Sequence, residues 1–368
     1  MRSSKKIAAW MLAAAMATGL LAGCGGSSGN ETTAAASAAE GTTAASTATD
    51  KTGDYSDKVI TYGLTTAWDT VNPYGSTSGS IYQNLVCDKL YDRLAFIEEA
   101  GSGVSPRAAK SWESADDGKA AIFHLDENAK WHDGQPITAD DVVFTMQVLV
   151  DEKQNVPYSS YGYVNDKAVE AEKVDDLTVK ISLGSSSAGF LGGLSQVYCI
   201  PKHIYDGVEN IGESDLNNEP VGSGPFKFEE YKSGEYYKVT KFDDYFDDVN
   251  LDSITFKIVK DSSSANAALA SGDLDARLIS ADDYDTVSAY DNVNINTYNS
   301  GRVNAMFMNE LNEDLQDVKV RQAIAYALNK EEFCQFAFLS EDYAEPADSI
   351  FTPDTLYYSK PDNTYDND

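Results

Sequence analysis

From Leu177 to Leu183 apolar and polar side chains alternate one for one, the period of a strand with one face in a core. Val59–Leu64 reads as an earlier strand, followed by a loop over Asp69–Gly79 rich in Asn, Pro, Gly and Ser. Trp112–Ala115 leads into Asp116, Asp117 and Gly118 and returns as Ile122–Leu125, a hairpin pattern. Phe226–Phe242 divides into two strands about Ser233 and Gly234, and Ile254, Phe256 and Ile258 mark another. Helical spacing lies between these segments. Ile81–Leu94 places Ile81, Leu85, Leu90 and Leu94 near one face. Thr138 and Asp141 form a capping box ahead of Val142, Met146 and Leu149. Ala265–Ser271 stops at Gly272, and Val318–Leu328 is capped by Asp317 with Val320, Ile324 and Leu328 on one face. Strands and helices intermingle without a strict βαβ rhythm and without a repeat of fixed period, which predicts a mixed α/β body.

The first residues change the picture. Arg2, Lys5 and Lys6 precede an uncharged apolar run from Ile7 to Ala22, the layout of a secretory signal and not of a membrane span in the mature protein. Leu20, Leu21, Ala22, Gly23 and Cys24 resemble the bacterial lipobox, which implies cleavage before Cys24 and a lipid on its thiol. Gly25, Gly26, Ser27, Ser28 and Gly29 would not continue a helix. From there to Asp54 the chain is nearly all Gly, Ser, Thr and Ala, too poor in large apolar groups to order itself, and so reads as a tether. Its reach is on the order of 30 Å. The expected location is extracytoplasmic, held to the cell membrane through the N-terminal lipid alone.

Charge narrows the partners. With 28 basic and 59 acidic residues the formal charge is −31, and the three basic residues of the leader leave the remainder more acidic still. Such a body repels nucleic acid and anionic headgroups. No spaced Asp or Asn set with a central Gly and closing Glu resembles a calcium loop. The 22 tyrosines are read chiefly as core and strand residues. Behind Cys24 stand Cys87, Cys199 and Cys334, an odd set far apart in sequence that reads as buried apolar fillers. A Cys87–Cys199 bridge stays open at this level. Enzyme chemistry finds no support: His124, His132 and His203 form no HExxH pair, and neither a GxSxG elbow nor a Walker loop is present. Gly222, Ser223 and Gly224 look like a nucleophile turn, but Pro225 follows and the glycine spacing is wrong. An extracellular hydrolase is the weaker alternative.

Trp131, His132, Asp133, Gly134, Gln135, Pro136, Ile137, Thr138, Ala139, Asp140, Asp141 and Val142 form a tight turn feeding a capped, acid-started helix. The segment resembles the WHDGxPxTAxDV motif of the peptide/nickel/oligopeptide-binding solute receptors, extracellular solute-binding protein family 5. Five more stretches follow in the family's order: Ala108–Glu113, Asp116–Leu125, Val221–Phe226 with Ser223 in place of the usual Thr, Ala267–Asp275 and Asp317–Ala327. The likeness covers essentially residues 55–340.

That resemblance implies a periplasmic-binding-protein-like α/β fold of two lobes with an extra middle domain (type II, cluster C), the second lobe being incomplete. Lobe I would comprise residues 55–75 and 190–297, the middle domain 76–189, and the start of lobe II 298–368. The polar end Lys360–Asp368 has no strand or helix pattern, so this chain is expected not to bind peptide as full relatives do. Trp131, His132, Asp133, Gly134, Asp141, Gly222, Gly224 and Arg321 are expected to be structural, Arg321 pairing with a nearby carboxylate. Ligand contacts are expected from the backbone of Gly75, Ser76, Thr77 and Ser78, lying beside a bound peptide like an added strand. The implied role is the peptide-capturing subunit of an ABC importer, working with permease and ATPase subunits, with no cofactor, no metal and no covalent step. Receptors for nickel chelates, haem or oligosaccharides, or for a peptide signal, are alternatives within the same family.

Overall fold

The computed structural model describes residues 58–66, 71–75, 81–97, 104–154, 156–187, 189–298, 300, 302–339, 343–353 and 358–365. The signal, Cys24 and the tether lie outside the described residues. The first half of the chain carries β1 (Val59–Leu64), α1 (Ile81–Leu90), β2 (Ala95–Ile97), β3 (Val104–Pro106), β4 (Ala109–Ala115), β5 (Ala120–Leu125) and α2 (Ala139–Val150). It continues through β6 (Tyr163–Val164), β7 (Lys167–Ala168), β8 (Glu170–Asp175), β9 (Thr178–Ser182), α3 (Phe190–Leu194) and α4 (Lys202–Tyr205). Then come β10 (Phe226–Lys232), β11 (Tyr236–Lys241), β12 (Ser253–Ile258), α5 (Ser262–Ser271), β13 (Ala276–Arg277), α6 (Ala281–Ser288), α7 (Val318–Ala327) and α8 (Lys330–Phe338).

Two sheets organise the body. One has the order β10-β11-β12-β1-β13, with β1 parallel to both neighbours and the β10, β11, β12 succession antiparallel. The other is antiparallel, β4-β5-β9-β8, and α2 packs over β8 and β9. Leu64, Phe123, Leu125, Val142, Met146, Val179, Ile181, Val239, Ile254 and Phe256 belong to one continuous buried core shared by both sheets and α2. Each such side chain contributes about 1.5–3 kcal/mol relative to exposure. A smaller core of Ala265, Leu269, Leu274 and Val287 joins α5 to α6.

Local patterns translate directly where both partners are near in sequence. The alternation of β9 gives buried Val179 and Ile181, and Thr138 with Asp141 closes a complete capping box on α2, whose Val142, Met146 and Leu149 are buried. The β4–β5 turn places Asp116, Asp117 and Gly118 at positive φ, a conformation Asp and Gly tolerate better than other residues.

Two expectations need correction. The helix from Ile81 ends at Leu90, not Leu94, because a distant turn takes the Leu90 carbonyl and Arg93 bridges to Tyr198 in extended form. The helix before Gly272 starts at Ser262, one turn early, because the Asp261 carboxylate accepts from Ser264 N at 2.7 Å and caps it there. In α7 Asp317 caps as expected, accepting from Lys319 N, and the apolar face stands open, Val320 and Leu328 being 39% and 43% exposed. Cys87 and Cys199 are buried free thiols, and Cys334 is buried as well. Among the described residues no helix is long and apolar enough to cross a membrane.

Candidate functional site

Two turns far apart in sequence meet at the carboxyl end of α1. In the first, Gly134 N donates to Trp131 O at 2.8 Å and Gly134 takes φ of +88°, the left-handed region where a Cβ is strained. Trp131 is fully buried, and its Nε1 has no hydrogen-bond partner among the described residues. His132 locks this turn onto Val221–Phe226. Its backbone N donates to Gly222 O at 2.8 Å, Gly222 N donates to its Nδ1 at 3.1 Å, and its Nε2 lies 3.0 Å from Gly224 O. A carbonyl only accepts and an amide N–H only donates, so the ring proton sits on Nε2 and Nδ1 is bare. Burial favours the same neutral form and pulls the imidazole pKa down to about 4.

Gly222 and Gly224 serve close approach. A Cβ on Gly222 would stand 1.8 Å from Leu90 O, and one on Gly224 2.5 Å from Lys89 O. At that range Ser223 N and Gly224 N both donate to Leu90 O at 2.9 Å, and Asp92 N donates to Ser223 Oγ at 3.0 Å. The turn thus satisfies a terminal carbonyl of α1 and ends the helix. Asp133 accepts from Gln135 N and, at 2.7 Å, pairs with His203 Nε2. Asp141, buried in the first turn of α2, accepts from Thr138 N with one oxygen and from Lys202 N with the other, both at 2.9 Å. The structure therefore gathers Trp131, His132, Asp133, Gly134, Gly222 and Gly224 into one joint whose polar groups are largely matched internally. Arg321 stands apart in α7, donating to Leu315 O and Gln316 O, with Glu310 Oε1 at 3.4 Å.

The carboxyl edge of the parallel strands is the place where open α/β sheets take ligands. Here β1 lies between β12 and β13, so the chain leaving Leu64 occupies that place. Its described part, Val71–Gly75, is buried and pinned by Asn72. Asn72 Oδ1 accepts from Tyr74 N at 2.8 Å, Nδ2 donates to Ile211 O at 3.0 Å, and its carbonyl accepts from Gln83 Nε2 at 3.2 Å. The Tyr74 hydroxyl donates to Tyr198 O. Gly75 N donates to Asn72 O at 3.1 Å, so this amide is used inside the loop. Ser76, Thr77 and Ser78 lie outside the described residues. Sequence reasoning missed Asn72, Gln83 and Tyr198; the Asn72-Pro73 pair was the one local turn signal that pointed to Asn72. Among the described residues no group of three His, Cys, Asp or Glu side chains is placed to hold a metal ion.

Comparison with known proteins agrees with this architecture. The model of bacterial extracellular solute-binding proteins, family 5 Middle, matches residues 103–368. The chain is 34% identical over 247 residues to the oligopeptide-binding protein AppA of Bacillus subtilis (strain 168), covering 66% of this chain and 45% of AppA. The structure of AppA from Bacillus subtilis in complex with a nonapeptide has a TM-score of 0.70 at 29% identity, over 84% of this chain and 61% of that one. The ABC transporter substrate-binding protein CtaP of Listeria monocytogenes has a TM-score of 0.75 at 39% identity, over 84% and 62%. NikZ from Campylobacter jejuni in complex with Ni(L-His) has a TM-score of 0.71 at 30% identity, over 85% and 61%. The chain spans about half the length of the curated relatives it matches. Its fold is that of the type II periplasmic binding proteins, mixed α/β, and the chain belongs to the bacterial extracellular solute-binding proteins of family 5.

Proposed function

We propose that this protein is the lipid-anchored peptide receptor of an ABC importer, without enzymatic activity of its own. The observation that carries the reading is the likeness to AppA, whose solved structure holds a nonapeptide, over 84% of this chain. In this reading residues 55–75 and 190–297 form one lobe, 76–189 a middle domain, and the region from 298 opens the opposing lobe. The parallel strands β12, β1 and β13 set their carboxyl ends toward the cleft between lobes. The peptide lies along Gly75–Ser78 and exchanges main-chain hydrogen bonds with it, so that side-chain identity matters little. Since Gly75 N is engaged by Asn72, the donors in this stretch come from Ser76 onward. Closure over the ligand presents the loaded receptor to a permease, and an ATPase partner drives transport.

Two variants at one position, made in the protein as isolated from the cells that make it, test the ligand placement. Ser76→Ala keeps the backbone donor and is expected to leave peptide affinity nearly unchanged, whereas Ser76→Pro removes it and weakens binding by at least ~1 kcal/mol. Equal affinities for the two variants would count against the placement. The anchor has its own test. Cys24→Ser should move the protein from the membrane to the soluble fraction, and normal processing with continued membrane attachment would show that Cys24 carries no lipid.

A second reading is favoured by one observation, the NikZ complex with Ni(L-His) at 30% identity. In it the same cleft takes a metal chelate as cargo. Thermal-shift screening with peptides and with Ni(L-His) separates the two, because a ligand that binds only the native state raises its melting point.

A further inference from the structure

Beside the carboxyl end of α1 lies a partly enclosed cavity of about 170 Å³, bounded by Asp88, Lys89, Asp92, Arg93, Phe96, Arg107 and Tyr245. Lys89, Arg93 and Arg107 stand around this space with Asp88 and Asp92, so basic residues outnumber acidic ones here although the chain as a whole is strongly acidic. The Arg93 and Arg107 guanidinium carbons stand 5.5 and 5.2 Å from the centroid of the same Phe96 ring. The ring face attracts both, and so holds two cations near one another that would otherwise separate. Arg93 is partly answered: its Nη2 donates at 2.5 Å to Asp88 Oδ1 and to the Tyr198 hydroxyl. Its Nε, however, is buried with no hydrogen-bond partner, and the Arg107 guanidinium has no hydrogen bond or ion pair among the described residues. A buried unmatched donor such as Arg93 Nε is costly, and the half-buried Arg107 guanidinium keeps its donors open to an acceptor.

Of the two carboxyl groups lining the cavity, Asp88 is taken by Arg93 Nη2, and Asp92 does not fill the remaining need. Asp92 is buried, and one of its oxygens accepts from the Tyr245 hydroxyl at 2.9 Å. Burial pushes its pKa up to about 7 against the lowering effects of Tyr245, Arg107 and Arg93. The raised pKa lets Asp92 keep its proton near neutral pH and act as a donor. A space of this size corresponds to five or six waters at ~30 Å³ each, enough for one tetrahedral anion or small carboxylate.

We propose that the cavity between Arg93, Arg107 and Tyr245 binds a small oxyanion of the sulfate or carboxylate class, at a site separate from the loop after β1. The anion accepts from the Arg107 guanidinium, and from the Asp92 hydroxyl when that group is protonated, with the Arg93 guanidinium beside the cavity adding positive charge. Asp92 is faced by Asp88, Lys89 and Arg93 from its own segment, by Arg107 from beyond β3, by Tyr245 from beyond β11 and by Cys199 from the strand-like stretch before α4. Of these Asp92 is the group that changes charge near neutrality, so an anion that needs its proton binds about tenfold tighter at pH 6 than at pH 8.

Calorimetric titration of the 368-residue chain tests this, with sulfate as the probe because its charge is constant over that range, acetate as the carboxylate probe, and chloride holding ionic strength fixed. Saturable binding is expected, about tenfold weaker at pH 8, and at least tenfold weaker in Arg107→Gln. Whichever of sulfate and acetate binds more tightly identifies the anion class. Asp92→Asn, neutral at every pH, should keep the pH 6 affinity and lose the pH dependence. Arg107→Gln alters a half-buried position, so the test stands even if Asp92→Asn does not fold. The proposal is overturned if neither anion binds saturably at pH 6, or if Arg107→Gln binds as the parent chain does.

Discussion

His132 and Asp92 flank the same turn and respond to acid in opposite senses. His132 has a folded pKa of about 4 against an ordinary value of 6.5, so the unfolded chain takes up the proton first and stability is lost as pH falls from 6.5 toward 4. Asp92 has a folded pKa of about 7 against 3.8, so the native state holds the proton longer and its contribution is lost as pH rises through that window. The two nearly cancel in the parent chain, and the difference between variants isolates each. His132→Gln is expected to be less stable than the parent at pH 7.5, with the gap narrowing by roughly 2–3 kcal/mol at pH 4.5, because the variant has no imidazole to charge. Urea unfolding at the two pH values measures it; a gap independent of pH would mean that His132 is not held neutral. The motif that contains His132 was legible from sequence as a turn. Its tautomer was not, since that is set by Gly222 and Gly224, about ninety positions further along.

At the level of elements, α2, β9 and the β4–β5 hairpin were readable because their caps, alternation and turn residues lie within a few positions of one another. The end of α1 was not readable, because Leu90 O is claimed by Ser223 N and Gly224 N. That contact makes a prediction. Gly222→Ala would put a methyl carbon 1.8 Å from the Leu90 carbonyl oxygen, which only a backbone shift relieves, and should cost ~3 kcal/mol or more. Gly134→Ala meets no atom within 4 Å and suffers only the left-handed φ, about 1 kcal/mol. Thermal unfolding of the two variants ranks them, and equal losses would show that the Val221–Phe226 turn does not set the end of α1. The helix α8 went unread although Asn329 and Glu332 carry a cap signal, and Asn329 does accept from Glu332 N at 3.0 Å. Its face, like that of α7, is apolar without being buried: Phe336 is 87% exposed, so the pattern identified α7 as a helix but named no covering partner for either.

Across the whole molecule the decisive non-local event is the insertion of β1 between β12 and β13, residues some two hundred positions away. Apolar periodicity carries no information on which strands pair, so the sheet order was invisible to pattern reading, and the family motifs implied only the fold class and domain bounds. The same insertion puts the loop after Leu64 at the carboxyl edge of the parallel strands, which is why a peptide site is proposed there. The account's central claim is peptide capture. Isothermal titration calorimetry on the protein isolated from the cells that make it, with dipeptides to nonapeptides, Ni(L-His) and haem as parallel titrants, tests it most directly. The account predicts saturable heats with peptides at micromolar or tighter Kd, about −8 kcal/mol or beyond, and none with the other two. Saturable binding of Ni(L-His) or haem with no heat from any peptide would contradict it.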